Sequence, residues 1–144
     1  DGKIACLVAG LGTCGTLCGV ARAFRDKGAN VHVVGVEPAE APYYRTGEFT
    51  THRIPGVVPG FTPANYDPAL IDEIADVPSD EAWAAARELA RDEGMLAGIS
   101  SGATAWAARE LAARPEFREK LIVAVIADTG ERYLSTPGLF GYDD

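Results

Sequence analysis

The stretch Lys3-Ile-Ala-Cys-Leu-Val-Ala-Gly-Leu-Gly-Thr-Cys-Gly-Thr16 decides the fold, together with the run from Leu17 to Lys27 that follows it. Its first seven residues read as a buried strand, apolar and partly β-branched after Lys3. Glycines and threonines then turn the chain. From about Thr16 to Lys27, Leu17, Val20, Ala21 and Phe24 recur at i, i+3, i+4 and i+7, one face of a 3.6-residue period. Gly28 stands where a helix commonly stops. Val31-His-Val-Val-Gly-Val36 reads as a second strand. Strand, helix and strand in this order form a βαβ unit with parallel strands and a right-handed crossover.

Outward from this unit the alternation continues. Glu73 to Val77 reads as a short strand and Asp80 to Glu93 as a helix with Ser79 as its cap and Gly94 as its stop. Leu96 to Gly98 is a brief strand-like piece, and Ser100 opens an alanine-rich helix to about Ala113. Leu121-Ile-Val-Ala-Val-Ile126 is apolar throughout, as in a central parallel strand covered on both faces. Residues 38–66 contain five prolines and three glycines and support no long element. A loop of that length inside a compact domain is usually functional or mobile. The tail from Thr129 to Asp144 reads as irregular. The expected fold is α/β, a three-layer domain with a mainly parallel twisted sheet and a Rossmann-like βαβ start.

Composition narrows the function. The 144 residues are 47% hydrophobic and 24% charged, enough for one domain with a real core. The net charge of −8 disfavours nucleic-acid binding, which needs clustered Lys and Arg. Residues 67–98 hold nine Asp and Glu against two Arg and read as a solvated face. The longest aliphatic run, Leu121 to Ala127, falls far short of the roughly 20 residues of a membrane helix. The opening Asp1-Gly2-Lys3 does not read as a secretory signal, so the cytoplasm is expected. Cys6, Cys14 and Cys18 form no disulfide framework, and Cys14 with Cys18 lacks the partners of a zinc site; small buried thiols are expected, and no metal.

Three polar clusters fall at strand-to-helix junctions or just beyond a strand, on the sheet edge where α/β proteins bind ligands. The first is Gly10-Leu-Gly-Thr-Cys-Gly-Thr16, whose glycines let backbone approach a ligand while the helix start offers free N–H groups to a phosphate. Read literally, Gly10, Gly12 and Gly15 match G-x-G-x-x-G, and Glu37 ends the second strand 22 residues after Gly15. That is the dinucleotide fingerprint, so an NAD-binding module stands as one reading. The second cluster is Gly98-Ile-Ser-Ser-Gly102, where Ser100 taken alone reads first as a helix cap. The third is Asp128-Thr-Gly-Glu-Arg-Tyr-Leu-Ser135, after Ala127, where Asp128 taken alone reads first as a turn residue.

The order Gly12-Thr-Cys-Gly-Thr16, Val34-Gly-Val-Glu-Pro38, Gly98-Ile-Ser-Ser-Gly102 and Asp128-Thr-Gly-Glu-Arg-Tyr-Leu-Ser135 resembles the cysteine synthase (O-acetylserine sulfhydrylase) family of fold-type II pyridoxal-phosphate enzymes. The resemblance runs from about residue 1 to residue 140 and implies that residues 1–144 are the C-terminal portion of such an enzyme, its N-terminal half absent. It implies pyridoxal 5′-phosphate as cofactor, with Gly12, Thr13, Cys14, Gly15 and Thr16 at its phosphate, Ser100 at its ring nitrogen and Asp128 nearby. Gly56, Gly60 and Phe61 match a segment at the active-site mouth, the substrate channel. The implied activity is a β-replacement that makes cysteine from O-acetylserine and sulfide, in a homodimer acting on small amino-acid substrates.

The resemblance also marks departures. The family's Schiff-base lysine is absent: only Lys3, Lys27 and Lys120 occur, each read as a surface residue, so no catalytic residue is assigned and these 144 residues alone are expected to be inactive. Cys14 replaces a usual glycine and is strained if that position needs positive φ. Val58 and Pro59 stiffen the segment at the mouth, and Ala127 replaces a usual proline. A non-catalytic relative serving binding or assembly is a further reading.

Overall fold

A computed structural model describes residues 3–140. The opening Asp1-Gly2 and the closing Gly141-Tyr-Asp-Asp144 lie outside the described residues. Four parallel strands form one sheet in the order β3-β2-β1-β4. They are β1 (Ile4–Gly10), β2 (His32–Pro38), β3 (Glu73–Val77) and β4 (Leu121–Ala124). Helix α1 (Gly15–Asp26) packs on one face of the sheet and α3 (Ser79–Asp92) with α4 (Ile99–Ala112) on the other. This is the expected three-layer α/β arrangement, built on the expected βαβ start.

Each helix sits where its apolar stripe has something to bury. Leu17, Cys18 and Ala21 of α1 meet Leu7, Ala9 and Val33 of the sheet. On the opposite face Ala103, Ala107 and Leu111 of α4 join Cys6, Val8, Val34 and Val36, with Ala82 and Ala86 of α3 behind them. Strand residues alternate between the two faces, so β1 supplies both cores. Gly102 lets α3 and α4 come together: a Cβ there would lie 2.2 Å from the carbonyl oxygen of Ala82 and 2.7 Å from the nitrogen of Ala86. Burying a stripe of this kind contributes on the order of 25 cal/mol per Å² of apolar surface.

Several local expectations change. Ser79 is the first residue of α3 rather than its cap; Pro78 holds that position, and the Ser79 hydroxyl donates to Oε2 of Glu40 at 3.1 Å. A proline ahead of the helix leaves no side-chain oxygen for capping, so the serine is free to tie down the preceding loop. Leu96 to Gly98 forms only an isolated antiparallel bridge, Ala97 with Thr129. The long loop contains one short helix, α2 (Tyr43–Thr46). Strand β4 is not central: among the described residues it is the sheet's edge, with Leu121 53% exposed and Ile126, just beyond its end, 43% exposed. An apolar run reports the surroundings a strand suits, not which neighbours these residues provide.

The acidic stretch is not simply solvated. Asp67, Asp72, Glu73, Asp76, Asp80 and Glu88 pair with arginines from elsewhere in the chain, among them the two-pronged contact of Arg114 with Glu73 at 2.8 and 2.9 Å. All three cysteines are buried and unpaired. No helix among the described residues is long and apolar enough to cross a membrane.

Candidate functional site

At the carboxyl ends of β1 and β4 the chain leaves the sheet, and helices α1 and α4 begin. Between them lies a cavity of about 150 Å³ lined by Gly10, Gly12, Thr13, Cys14, Gly15, Thr16, Ser100 and Thr104, with Gly56, Val57 and Val125 among its further walls. The glycine loop and Ser100 are 84 residues apart or more in sequence, and the fold brings them to opposite sides of one small space.

The loop side is built for an anion without any cationic side chain. The first backbone bond inside α1 runs from the N–H of Cys18 to the carbonyl of Cys14 at 3.0 Å, and no side chain caps the helix. The N–H groups of Gly15, Thr16 and Leu17 therefore have no acceptor within the helix, and they sit at the positive end of its dipole. Cys14 precedes them in the left-handed region, φ 60 and ψ 3. A left-handed residue directly before a right-handed helix turns successive N–H groups toward one side, the arrangement of an anion nest. The positive φ expected to strain Cys14 is present, at a cost of about 1–2 kcal/mol for a residue with a Cβ.

Two contacts hold this turn. The Tyr44 hydroxyl donates to the carbonyl of Gly12 at 2.9 Å, and the Cys14 thiol points at the same hydroxyl at 3.4 Å. Burial, the largest cause, pushes the pKa values of both groups up, so both stay protonated donors. The loop at residues 56–58 packs from the other side. The N–H of Val58 donates to the carbonyl of Leu11 at 2.8 Å, and a Cβ on Gly12 would lie 2.4 Å from the carbonyl oxygen of Gly56. Val58 itself has φ 47, which for a β-branched residue stores about 1–3 kcal/mol.

The opposite wall belongs to α4. Gly98 is its cap, with no side-chain hydrogen bond, so Ser100 is not the helix cap. The neighbouring hydroxyls are engaged. Ser101 donates to Oδ1 of Asp128 at 3.3 Å and accepts the N–H of Ala127 at 3.1 Å. Thr104 points at the carbonyls of Ser101 and Val125, each at 2.9 Å. Ser100 is buried, lines the cavity and has no hydrogen-bond partner for its hydroxyl among the described residues.

Not every expected residue reaches the cavity. Asp128 is set back from it, because Ser101 and the Tyr133 hydroxyl, at 2.7 Å, occupy its carboxylate. Burial, and then that contact, push the Tyr133 phenol up to about 12. Of the three channel residues, Gly56 lines the cavity; Gly60 packs beside Phe49, and Phe61 is 58% exposed. Lys3, Lys27 and Lys120 are all exposed and none lines the cavity. Thr104, Val57 and Val125 were not legible as lining residues, since each looks like ordinary core in sequence. Tyr44, from the long loop, anchors that loop to the turn through its hydroxyl.

Glu37 removes the dinucleotide reading. It is 0% exposed, accepts the N–H of Tyr44 at 2.8 Å, and lies 3.4 Å from the Arg45 guanidinium. A carboxylate committed inside the protein and absent from the cavity wall cannot receive a ribose hydroxyl.

A protein-family model described as pyridoxal-phosphate dependent enzyme matches residues 1–128. The chain belongs to this family. Among curated relatives of this pyridoxal-phosphate dependent family, it is 47% identical over 143 residues to a cysteine synthase of Haemophilus influenzae, covering 94% of this chain and 45% of that protein. It is 43% identical over 136 residues to cysteine synthase B of Campylobacter jejuni, 94% of this chain and 44% of that protein. The fold superposes on the solved cysteine synthase of Entamoeba histolytica with a TM-score of 0.94 at 35% identity, over 100% of this chain and 42% of that one. It superposes on O-ureido-L-serine synthase with a TM-score of 0.90 at 40% identity, over 99% of this chain and 45% of that one. The chain thus spans less than half the length of these relatives.

The residues present fit the family's cofactor. A cradle of uncapped N–H groups, too tight at Gly12 for any side chain, faces a buried hydroxyl with no partner among the described residues across about 150 Å³. A cavity of about that size holds a single aromatic ring, and its open mouth leaves room for the ring's substituents.

Proposed function

We propose that these residues form the cofactor-holding portion of a cysteine synthase-like enzyme, which converts O-acetylserine and hydrosulfide to cysteine and acetate. The observation that carries the reading is the single cavity shared by the uncapped start of α1 and the unpartnered hydroxyl of Ser100. When bound, pyridoxal 5′-phosphate withdraws electrons from an attached amino acid and so loosens the bond to its β-substituent.

The chain's own residues hold and tune that group. The N–H groups of Gly15 and Thr16, with the hydroxyls of Thr13 and Thr16, bind the phosphate through the helix dipole. Ser100 meets the ring nitrogen with a neutral hydroxyl. Unlike a carboxylate, it does not keep that nitrogen protonated, which suits β-replacement better than transamination. Val57 and Val125 keep water from one side of the ring, and Gly56 marks the entry for the amino acid. Asp128 acts on the cofactor through Ser101 and the start of α4, whose position it fixes.

The proposal extends to the intact protein. The lysine that anchors the cofactor is supplied outside these 144 residues, so residues 1–144 alone are inactive. Two features support their being part of a longer enzyme: relatives more than twice as long, and an apolar edge on β4. A cytoplasmic homodimer is part of the same reading; buried unpaired cysteines suit a reducing compartment.

Adding pyridoxal 5′-phosphate to the intact protein is expected to give a visible absorption band. No band would favour a non-catalytic relative used for binding or assembly. Ser100→Asp is expected to retain the cofactor and suppress cysteine formation at least tenfold; full turnover would refute the role given to Ser100.

A further inference from the structure

We propose that Tyr44 is a positioning residue for the phosphate-binding turn: its hydroxyl holds the Gly12–Cys14 backbone in the shape that presents the start of α1 to the cofactor's phosphate. The inference rests on the function proposed above and adds a residue from a different part of the chain.

Tyr44 does not line the cavity, so it acts through the turn rather than on the ligand. It bonds the carbonyl of Gly12 at 2.9 Å, and the Cys14 thiol leans on its oxygen at 3.4 Å. Both partners belong to the segment that carries the left-handed residue. A glycine would adopt φ 60 without strain, whereas a cysteine needs support from outside to stay there. The contact with Tyr44 is that support, so this chain couples a non-glycine turn to a distant phenol.

The phenol is itself fixed. The buried carboxylate of Glu37 accepts the N–H of Tyr44 at 2.8 Å, and Arg45 spans Glu37 and Asp76, which are register partners on β2 and β3. The ring packs on Tyr66 at 4.7 Å between centroids. Glu37, which in the sequence completes a dinucleotide fingerprint, therefore serves the phosphate site by anchoring the residue that anchors the turn.

The test compares pyridoxal 5′-phosphate with unphosphorylated pyridoxal, and adds inorganic phosphate as a competitor, in the intact protein. Tyr44→Phe is expected to weaken pyridoxal 5′-phosphate and phosphate about tenfold, the usual effect of one lost hydrogen bond, and to leave pyridoxal unchanged. In a Cys14→Gly background the same substitution is expected to cost less than about threefold, because the glycine holds the turn unaided. Equal losses for both vitamers would mean general damage to the fold and would overturn the inference, whatever the thermal midpoint. So would an undiminished preference for the phosphorylated form in Tyr44→Phe. Wild-type protein that shows no preference for phosphorylated ligands would overturn the proposed function as well.

Discussion

The two junctions that flank the cavity look alike in sequence and differ in physics. Gly10 to Thr16 and Gly98 to Gly102 both follow a strand or strand-like piece, both carry paired glycines and hydroxyls, and both open a helix. At the first, the glycine constraint faces loop backbone: Gly12 lies against the carbonyl of Gly56, next to N–H groups that no side chain among the described residues caps. At the second, the first N–H groups are likewise uncapped, but the glycine constraint faces a neighbouring helix: Gly102 lies against Ala82 and Ala86, and the hydroxyls of Ser101 and Thr104 bond inside the protein. The glycine of one junction is held against a loop, that of the other against a helix, and of the second junction's hydroxyls Ser100 alone has no hydrogen-bond partner among the described residues. A glycine-rich motif does not say which of these purposes it serves; the atom that would meet the missing Cβ does.

Substitutions can break this contrast. Gly102→Ala places a methyl within 2.2 Å of helix backbone, so α3 and α4 must separate. It is expected to destabilise the protein by about 3 kcal/mol, read from chemical denaturation, with cofactor affinity following only the folded fraction. A loss below about 0.5 kcal/mol would show that the helices have slack. Gly12→Ala is expected to do the reverse. It should cost about 1 kcal/mol in stability, since a surface loop yields more easily than a helix pair, but should lower cofactor affinity tenfold or more by shifting the turn. Retained affinity would mean the turn does not need its present shape.

The pH dependence separates two carboxylates on neighbouring strands. The Arg114 guanidinium, then burial opposing it and His32 assisting, leaves Glu73 below the usual carboxylate range. Its stabilising effect is therefore present above about pH 4.5 and is lost as pH falls through its lowered value. Burial does the opposite to Glu37 and raises it, so its contribution is present below about pH 4.5 and is lost as pH rises through that raised value. Arg114→Met is expected to lose about 1 kcal/mol at neutral pH and nothing in strong acid. Glu37→Gln should gain on the wild type as pH rises. Parallel profiles for the two variants would contradict the assignment.

Much of the fold was legible because its signals are local. The period of Leu17, Val20, Ala21 and Phe24, the stop at Gly28 and the apolar runs placed four strands and three helices within a residue or two. The residues of β4 were found, but its place was not: it reads as central and is an edge among the described residues, because apolarity does not name neighbours. At the site, the glycine loop and Ser100 were readable from their junctions. Tyr44 was not, because its role depends on a loop of residues 38–66 whose path the sequence leaves open, and its partners lie about 30 positions away. Asp128 and Glu37 show the limit of such reading. Glu37 lies near the end of β2 and Asp128 just beyond β4, on the edge where ligands bind, yet each carboxylate bonds within the protein, Glu37 through Oε2. Position along the edge is visible in sequence; which oxygens remain free is not.

A crystal structure of the intact protein with pyridoxal 5′-phosphate tests the central claim most directly. The account predicts phosphate oxygens within about 3 Å of the N–H groups of Gly15 and Thr16, and the ring nitrogen at hydrogen-bond distance, about 2.8 Å, from the Ser100 hydroxyl. A phosphate held elsewhere, or a ring nitrogen turned away from Ser100, would contradict it.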